Sequence, residues 1–190
     1  MTDSIITAIE FVLNVLVGLY LLLLLLRLVL PWVGANFRNP LAQGILKATS
    51  PLVVPVRRVL PPIGRLDTAT VVVAFGIQYL LIWLLGAING DPSSILVIAV
   101  NSIFALISQL LRLFMYAIFI RIILSWIAPG NYNPAIEIIG AITDPVMRPF
   151  RRIIPPMGGF DISPIFAMLT LAVLMILIGG VQVSLLDTLR

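Results

Sequence analysis

Thr143–Pro164 reads TDPVMRPFRRIIPPMGGFDISP, and Thr49–Thr70 reads TSPLVVPVRRVLPPIGRLDTAT. The two stretches align without a gap at an offset of about 94 residues, which marks an internal duplication. Arg57-Arg58 falls on Arg151-Arg152, Pro61-Pro62 on Pro155-Pro156, Gly64 on Gly158 and Asp67 on Asp161. Farther upstream, Asn39-Pro40 matches Asn133-Pro134, Trp32 matches Trp126 and Arg27 matches Arg121. Each copy lies between two long apolar runs. The pattern predicts two hairpins of membrane-spanning helices, each closed by the same basic, proline-rich connector.

Composition supports the bilayer as the solvent. Of 190 residues, 61% are hydrophobic and 11% charged, where soluble domains run near half apolar and a quarter charged. One small water-soluble core cannot hide that much apolar surface. The chain has no Cys and no His, which excludes thiol chemistry, disulfides, the commonest zinc and haem ligands and the usual general base near neutral pH. Four runs reach the ~20 helical residues needed to cross a hydrocarbon core of ~30 Å. They cover roughly residues 5–30, 69–87, 98–127 and 164–186. The first carries Asp3 and Glu10 ahead of its apolar run rather than a basic region, so it is expected to be a retained span and not a signal peptide. The expected fold is an all-α membrane protein of four transmembrane helices in two parallel hairpin repeats. Repeat 1 takes residues 1–93 with its connector at 33–67, and repeat 2 takes residues 94–190 with its connector at 128–162.

Local signals place the ends of elements. Asn39-Pro40 reads as an N-cap followed by proline at the first helical position. A short helix is expected over 40–48, with Pro51 and Pro55 barring one long continuous helix. Pro61-Pro62 with Gly64, and Pro155-Pro156 with Gly158, read as rigid turns that re-aim the chain into the next span. Asp67 and Asp161 suit helix caps, with Ser163 as a cap and Pro164 as the first residue of the last span. Gly90–Ser94 is a turn by composition, with Ser93 or Ser94 as cap, and Trp126 with Pro129-Gly130 ends the third span. Arg27 is expected to snorkel toward the headgroups beside Trp32.

Charge sets the expected orientation. The connectors and their flanks carry Arg27, Arg38, Lys47, Arg57, Arg58, Arg65, Arg121, Arg148, Arg151 and Arg152, while the opposite side carries Asp3, Glu10, Asp91, Asp187 and Arg190. The positive-inside rule then puts both connectors in the cytoplasm and both termini outside. Taken as a short helix from Asp144 to Pro155, with Asp144 as cap, the second connector places Arg148, Arg151 and Arg152 on one face. Val146, Phe150, Ile153 and Ile154 fall opposite, as on an interfacial amphipathic helix. Two readings stand. In one, the arginines set topology and pin the connector to anionic lipid. In the other, Arg57, Arg58, Arg148, Arg151 and Arg152 form a binding surface for a lipid headgroup or a partner protein.

Arg112 stands apart. Counted from Arg121 at 1.5 Å per residue, it lies about 13 Å deeper in the membrane, and its repeat counterpart is Gly18. Asn14, Gln78 and Gln109 are its expected polar neighbours. It either snorkels or lines a polar pocket with them. No phosphate loop, metal cluster or nucleophile–base pair is legible, and neither a cofactor nor a nucleic-acid partner is expected.

The motif Asp144-Pro145…Arg151-Arg152-Ile153-Ile154-Pro155-Pro156-Met157-Gly158-Gly159…Asp161-Ile162-Ser163-Pro164 resembles that of the YggT family of small membrane proteins, in its two-repeat form, over essentially the whole chain. The first copy departs from it at Ser50, Arg65 and Ala69-Thr70. The resemblance implies a membrane factor linked to osmotic or salt tolerance and ion uptake. Related proteins in other lineages are linked to cell division and to assembly of photosynthetic membrane complexes, including haem maturation. From it follow two expected functions. One is a non-enzymatic factor in ion homeostasis, as a channel or a channel's accessory subunit. The other is a scaffold binding membrane-protein partners, anionic lipid or further copies of itself through its connectors.

Overall fold

A computed structural model describes residues 2–90, 93–127, 133–154 and 161–189. The expected turn residues Pro155, Pro156 and Gly158, and the dipeptides Asp91-Pro92 and Pro129-Gly130, lie outside the described residues.

Six helices make up the described chain: α1 (Thr2–Trp32), α2 (Pro40–Arg57), α3 (Thr68–Ile88), α4 (Ile95–Ile127), α5 (Pro134–Ile153) and α6 (Ser163–Leu189). Among the described residues there is no strand, only an isolated bridge between Ile63 and Leu66. Four helices, α1, α3, α4 and α6, are long and apolar enough to cross a membrane, with mean hydropathy of 2.1 to 2.5. Their outer faces stay apolar and uncovered, as at Phe11, Leu16, Leu169 and Ile176. That pattern fits a multi-pass membrane protein, whose spans need no polar face.

The connector helices are longer than the prolines suggest. Asn39 accepts a hydrogen bond from the Leu41 amide at 2.9 Å, and Asn133 accepts one from the Ala135 amide at 2.9 Å. Pro40 and Pro134 follow as first helical residues. Each helix then runs on through two internal prolines, Pro51 and Pro55 in α2 and Pro145 and Pro149 in α5. The expectation of a break after Ala48 is therefore corrected. Each pair is spaced by four, so both rings leave one face, and all four prolines are exposed. The missing N–H groups fall along a single line on the outside, while the inner line of bonds is intact. Asp144 is corrected likewise: it lies inside α5 rather than capping a helix there.

The turn between α2 and α3 is tight. Ile63 and Leu66 exchange both backbone hydrogen bonds at 3.0 Å. Gly64 sits between them at φ +60°, a conformation costly to any residue with a Cβ. Ser94 caps α4 by accepting from the Val97 amide at 3.3 Å.

Packing follows the duplication. The spans pair as α1 with α3 and α4 with α6, and α4 also meets α3 and α1. Among the described residues, span α6 touches only α4 and α5. Both connectors lie at the same end of the molecule, because α2 meets α5. There the Asn39 amide donates to the Pro134 carbonyl at 2.8 Å and to Glu137 Oε2 at 3.0 Å. The apolar faces of α2 and α5 pack inward: Ala42, Ile138 and Ile142 join Leu25, Val29, Leu30, Leu113 and Ala117 in one core cluster. That cluster closes the connector half of the α1–α4 seam.

Candidate functional site

Besides the Asn101–Gln182 pair between α4 and α6, two larger groups of polar side chains interrupt the apolar body among the described residues, and the duplication organises the first. In repeat 1, Arg27 is only 3% exposed. It turns inward instead of snorkelling, which corrects the expectation above. Its Nη1 donates to the Leu46 carbonyl at 3.2 Å, Thr49 Oγ1 at 2.8 Å and Ser50 Oγ at 3.2 Å, and its Nε donates to Asp67 Oδ2 at 3.5 Å. Arg57 reaches back from the end of α2 to the same Asp67 oxygen. Asp67 also accepts from Thr70 Oγ1 at 2.6 Å and from the Thr70 amide at 3.4 Å, capping α3. One carboxylate therefore ties α1, α2 and α3 together. Burial acts to raise the Asp67 carboxyl, but the Thr70 and Arg57 bonds outweigh it and hold the group below its ordinary range.

Repeat 2 arranges matching residues differently. Arg121 donates to Thr143 Oγ1 and to Asp144 Oδ1, both at 2.6 Å. Asp144 also stands 3.8 Å from Arg151, whose Nε donates to Asp161 Oδ2 at 3.0 Å. Asp161 Oδ1 accepts from the Ser163 amide at 3.0 Å at the start of α6, and Ser163 is itself the first helical residue instead of its cap. Pro164 replaces Thr70 at the matching position and brings neither N–H nor hydroxyl, so the Thr70-type cap is unavailable. Burial again acts to raise Asp161, and bonds from Ser163 and Arg151 outweigh it and lower it. The side chains of Arg121, Asp144, Arg151 and Asp161 are 29 to 43% exposed. Beside them opens a cavity of about 700 Å³ walled by Ile118, Ile122, Trp126, Met147 and Ile165.

The arginine pairs are thus split. Arg57 and Arg151 are held by Asp67 and Asp161, whereas Arg58 and Arg152 are exposed with no side-chain hydrogen bond or ion pair among the described residues. Arg148 is exposed and unpaired in the same sense, as are Arg38, Lys47 and Arg65. Sequence reasoning missed Arg27 and Thr49 as members of the first network, and Arg121, Thr143 and Asp144 as members of the second. The available signal was the identity of Arg27 with Arg121 and of Thr49 with Thr143 at the repeat offset.

The second group lies among the spans. Asn14, Gln78, Gln109 and Arg112 all line one cavity of about 310 Å³ between α1, α3 and α4. Gln109 Nε2 donates to the Gly18 carbonyl at 2.8 Å, and Asn14 Nδ2 donates to the Glu10 carbonyl at 2.8 Å. The Glu10 carboxylate is engaged by Asn89. Among the described residues no group of three or more potential ligands for a metal ion exists.

The CCB3/YggT family model matches residues 6–88 and again 100–182, one match per repeat. The chain belongs to the CCB3/YggT family. A Pseudomonas aeruginosa relative, uncharacterised, is 42% identical over 174 residues, covering 90% of this chain and 88% of the relative. YggT of Escherichia coli K12, also uncharacterised, is 32% identical over 165 residues, covering 86% and 85%. The ycf19 protein of Guillardia theta is 33% identical over 75 residues, which is 39% of this chain but 82% of that protein. That relative is therefore about one repeat long. No solved structure matches the chain.

Proposed function

We propose that this chain is a non-enzymatic accessory factor of the bacterial inner membrane, acting in ion and osmotic homeostasis through a basic cytoplasmic face that gathers anionic lipid around itself and its partners. The observation that carries this reading is the splitting of the arginine pairs. One member of each pair completes the fold, and the other is left over at the connector end with Arg38, Lys47, Arg65 and Arg148. Free cations near an anionic leaflet contribute about 1 kcal/mol each. The positive-inside rule turns that face to the cytoplasm.

An autonomous channel through one chain is the weaker reading. The polar cavity adjoins, toward the connectors, a second cavity of about 340 Å³ that shares Leu22, Leu113 and Tyr116 and is otherwise lined by Leu, Ile and Ala side chains among the described residues, which offers an ion no polar path.

The test is native mass spectrometry of the full chain released from nanodiscs of mixed phosphatidylglycerol and phosphatidylcholine. The wild type is expected to retain phosphatidylglycerol preferentially. The quadruple variant Arg58→Ala, Arg65→Ala, Arg148→Ala and Arg152→Ala should lose that preference while staying folded. Equal lipid retention by the two proteins rejects the reading, and so does Na⁺, K⁺ or Cl⁻ flux carried by the purified wild type in liposomes. Loss of a captured protein partner with unchanged lipid retention would replace it by a protein scaffold.

A further inference from the structure

Among the described residues of the spans, Arg112 is the basic residue that the fold does not use, and it is exposed where it lines the polar cavity. Arg27 and Arg121 each find a carboxylate and a threonine hydroxyl. Arg112 makes no side-chain hydrogen bond or ion pair among the described residues. It sits nine residues inboard of Arg121, about 13 Å along the helix axis. An unneutralised guanidinium at that depth is costly and is ordinarily paired. The nearest acid along α1, Glu10, is already held by Asn89.

The cavity that Arg112 lines has a second unmet group. Gln78 is 8% exposed, lines the same cavity, and has no side-chain hydrogen bond among the described residues. Its amide atoms are not sealed off, since no buried side-chain N or O among the described residues lacks a partner; they open onto the cavity, where a guest can meet them. Across the cavity stands Gly18, the repeat counterpart of Arg112, and a Cβ built there would meet nothing within 4 Å. The duplication therefore places a cation on one wall and an absent side chain on the other. That leaves room for a small guest between them. The Tyr116 hydroxyl and the Asn14 side chain add polar atoms to the lining.

We propose that this cavity is a binding site for a small monovalent anion, a halide or a short carboxylate, held by the Arg112 guanidinium and the Gln78 amide. The charge selects an anion. The volume of about 310 Å³ takes such an ion with a few waters. On the connector side it adjoins an apolar cavity of about 340 Å³ that shares Leu22, Leu113 and Tyr116, so the charged and amide lining stops there. The site is independent of the exposed connector arginines, so either reading can fail without the other.

The experiment uses the full chain in zwitterionic nanodiscs, with chloride, then acetate, exchanged for gluconate at constant ionic strength. Wild-type protein is expected to show a saturable rise in Tm of about 5 °C at saturating anion, together with ³⁵Cl NMR line broadening. Arg112→Gln should abolish both, and Gln78→Leu should shift half-saturation at least tenfold upward. Arg58→Ala with Arg152→Ala should leave both intact. If Arg112→Gln fails to fold, Arg112→Lys and Gln78→Leu carry the test, since each keeps the cavity while spoiling the donor geometry. The proposal is overturned by a Tm shift and line broadening that are unchanged in these variants. It is equally overturned by no anion response in the wild type up to 1 M on the order used for weak halide sites.

Discussion

The two arginine–aspartate clusters are built from matching residues and end in different states. In repeat 1, two arginines converge on Asp67, and Arg27 and Asp67 are almost wholly buried. In repeat 2, Asp144 stands where repeat 1 has Ser50 and captures Arg121 before it can reach Asp161. The charges then spread into a chain of four half-exposed groups along an open cavity. An added carboxylate near the arginine, and a proline in place of Thr70, are enough to turn a closed knot into an open rim. The two copies keep matching parts and differ in wiring: repeat 1 closes its cluster inside the fold, and repeat 2 leaves its cluster half-open.

The sharpest way to break this contrast is to remove the two aspartates in turn. Asp67→Ala strands Arg27 and Arg57 and is expected to destabilise the protein by about 3–5 kcal/mol. Asp161→Ala acts on half-exposed, screened groups and should cost about 1 kcal/mol or less. Reversible unfolding in mixed micelles measures both, and equal losses would erase the distinction. Acid should act through the same groups. Both carboxyls are depressed in the folded state, so their contribution is fully present above the unfolded value near 3.9 and is lost as pH falls below it toward the folded values. Stability should therefore fall with acidification below about pH 4, and Asp67→Asn should flatten most of that slope in a pH series of unfolding midpoints.

A gentler change rewires instead of removing. Asp144→Ser reproduces repeat 1 locally and should let Arg121 turn to Asp161, at a net change within about 1 kcal/mol. Removing Asp161 should then cost more stability in the Asp144→Ser background than in the wild type, and additive losses would mean that the open rim has another cause. The smallest effect belongs to the unpaired partners. Arg58→Ala and Arg152→Ala should leave stability within about 0.5 kcal/mol of wild type, although each is next to an arginine that matters.

Much of this architecture was legible in the residues. Runs of twenty apolar residues have few folded outcomes, and the Asn-Pro signals announced the starts of α2 and α5 because a cap and a missing N–H act locally. The continuation of those helices through Pro51, Pro55, Pro145 and Pro149 was not legible from proline content alone. It depends on both rings leaving a face that tertiary packing keeps outside. Arg27 shows the same limit. A cation at a span's end satisfies the snorkelling rule as well as it satisfies a buried network, and only the placement of Thr49, Leu46 and Asp67 around it decides. Asn14, Gln78, Gln109 and Arg112 came together around one cavity because helical depth is countable, whereas what faces them across the seam is not.

The peripheral seat of α6 bears on how the molecule is made. Since α6 meets only α4 and α5 among the described residues, every contact among the first five helices is available before the ribosome finishes the sixth. The sixth helix then docks sideways onto an assembly already formed, where Arg151 waits at the rim for Asp161 to arrive.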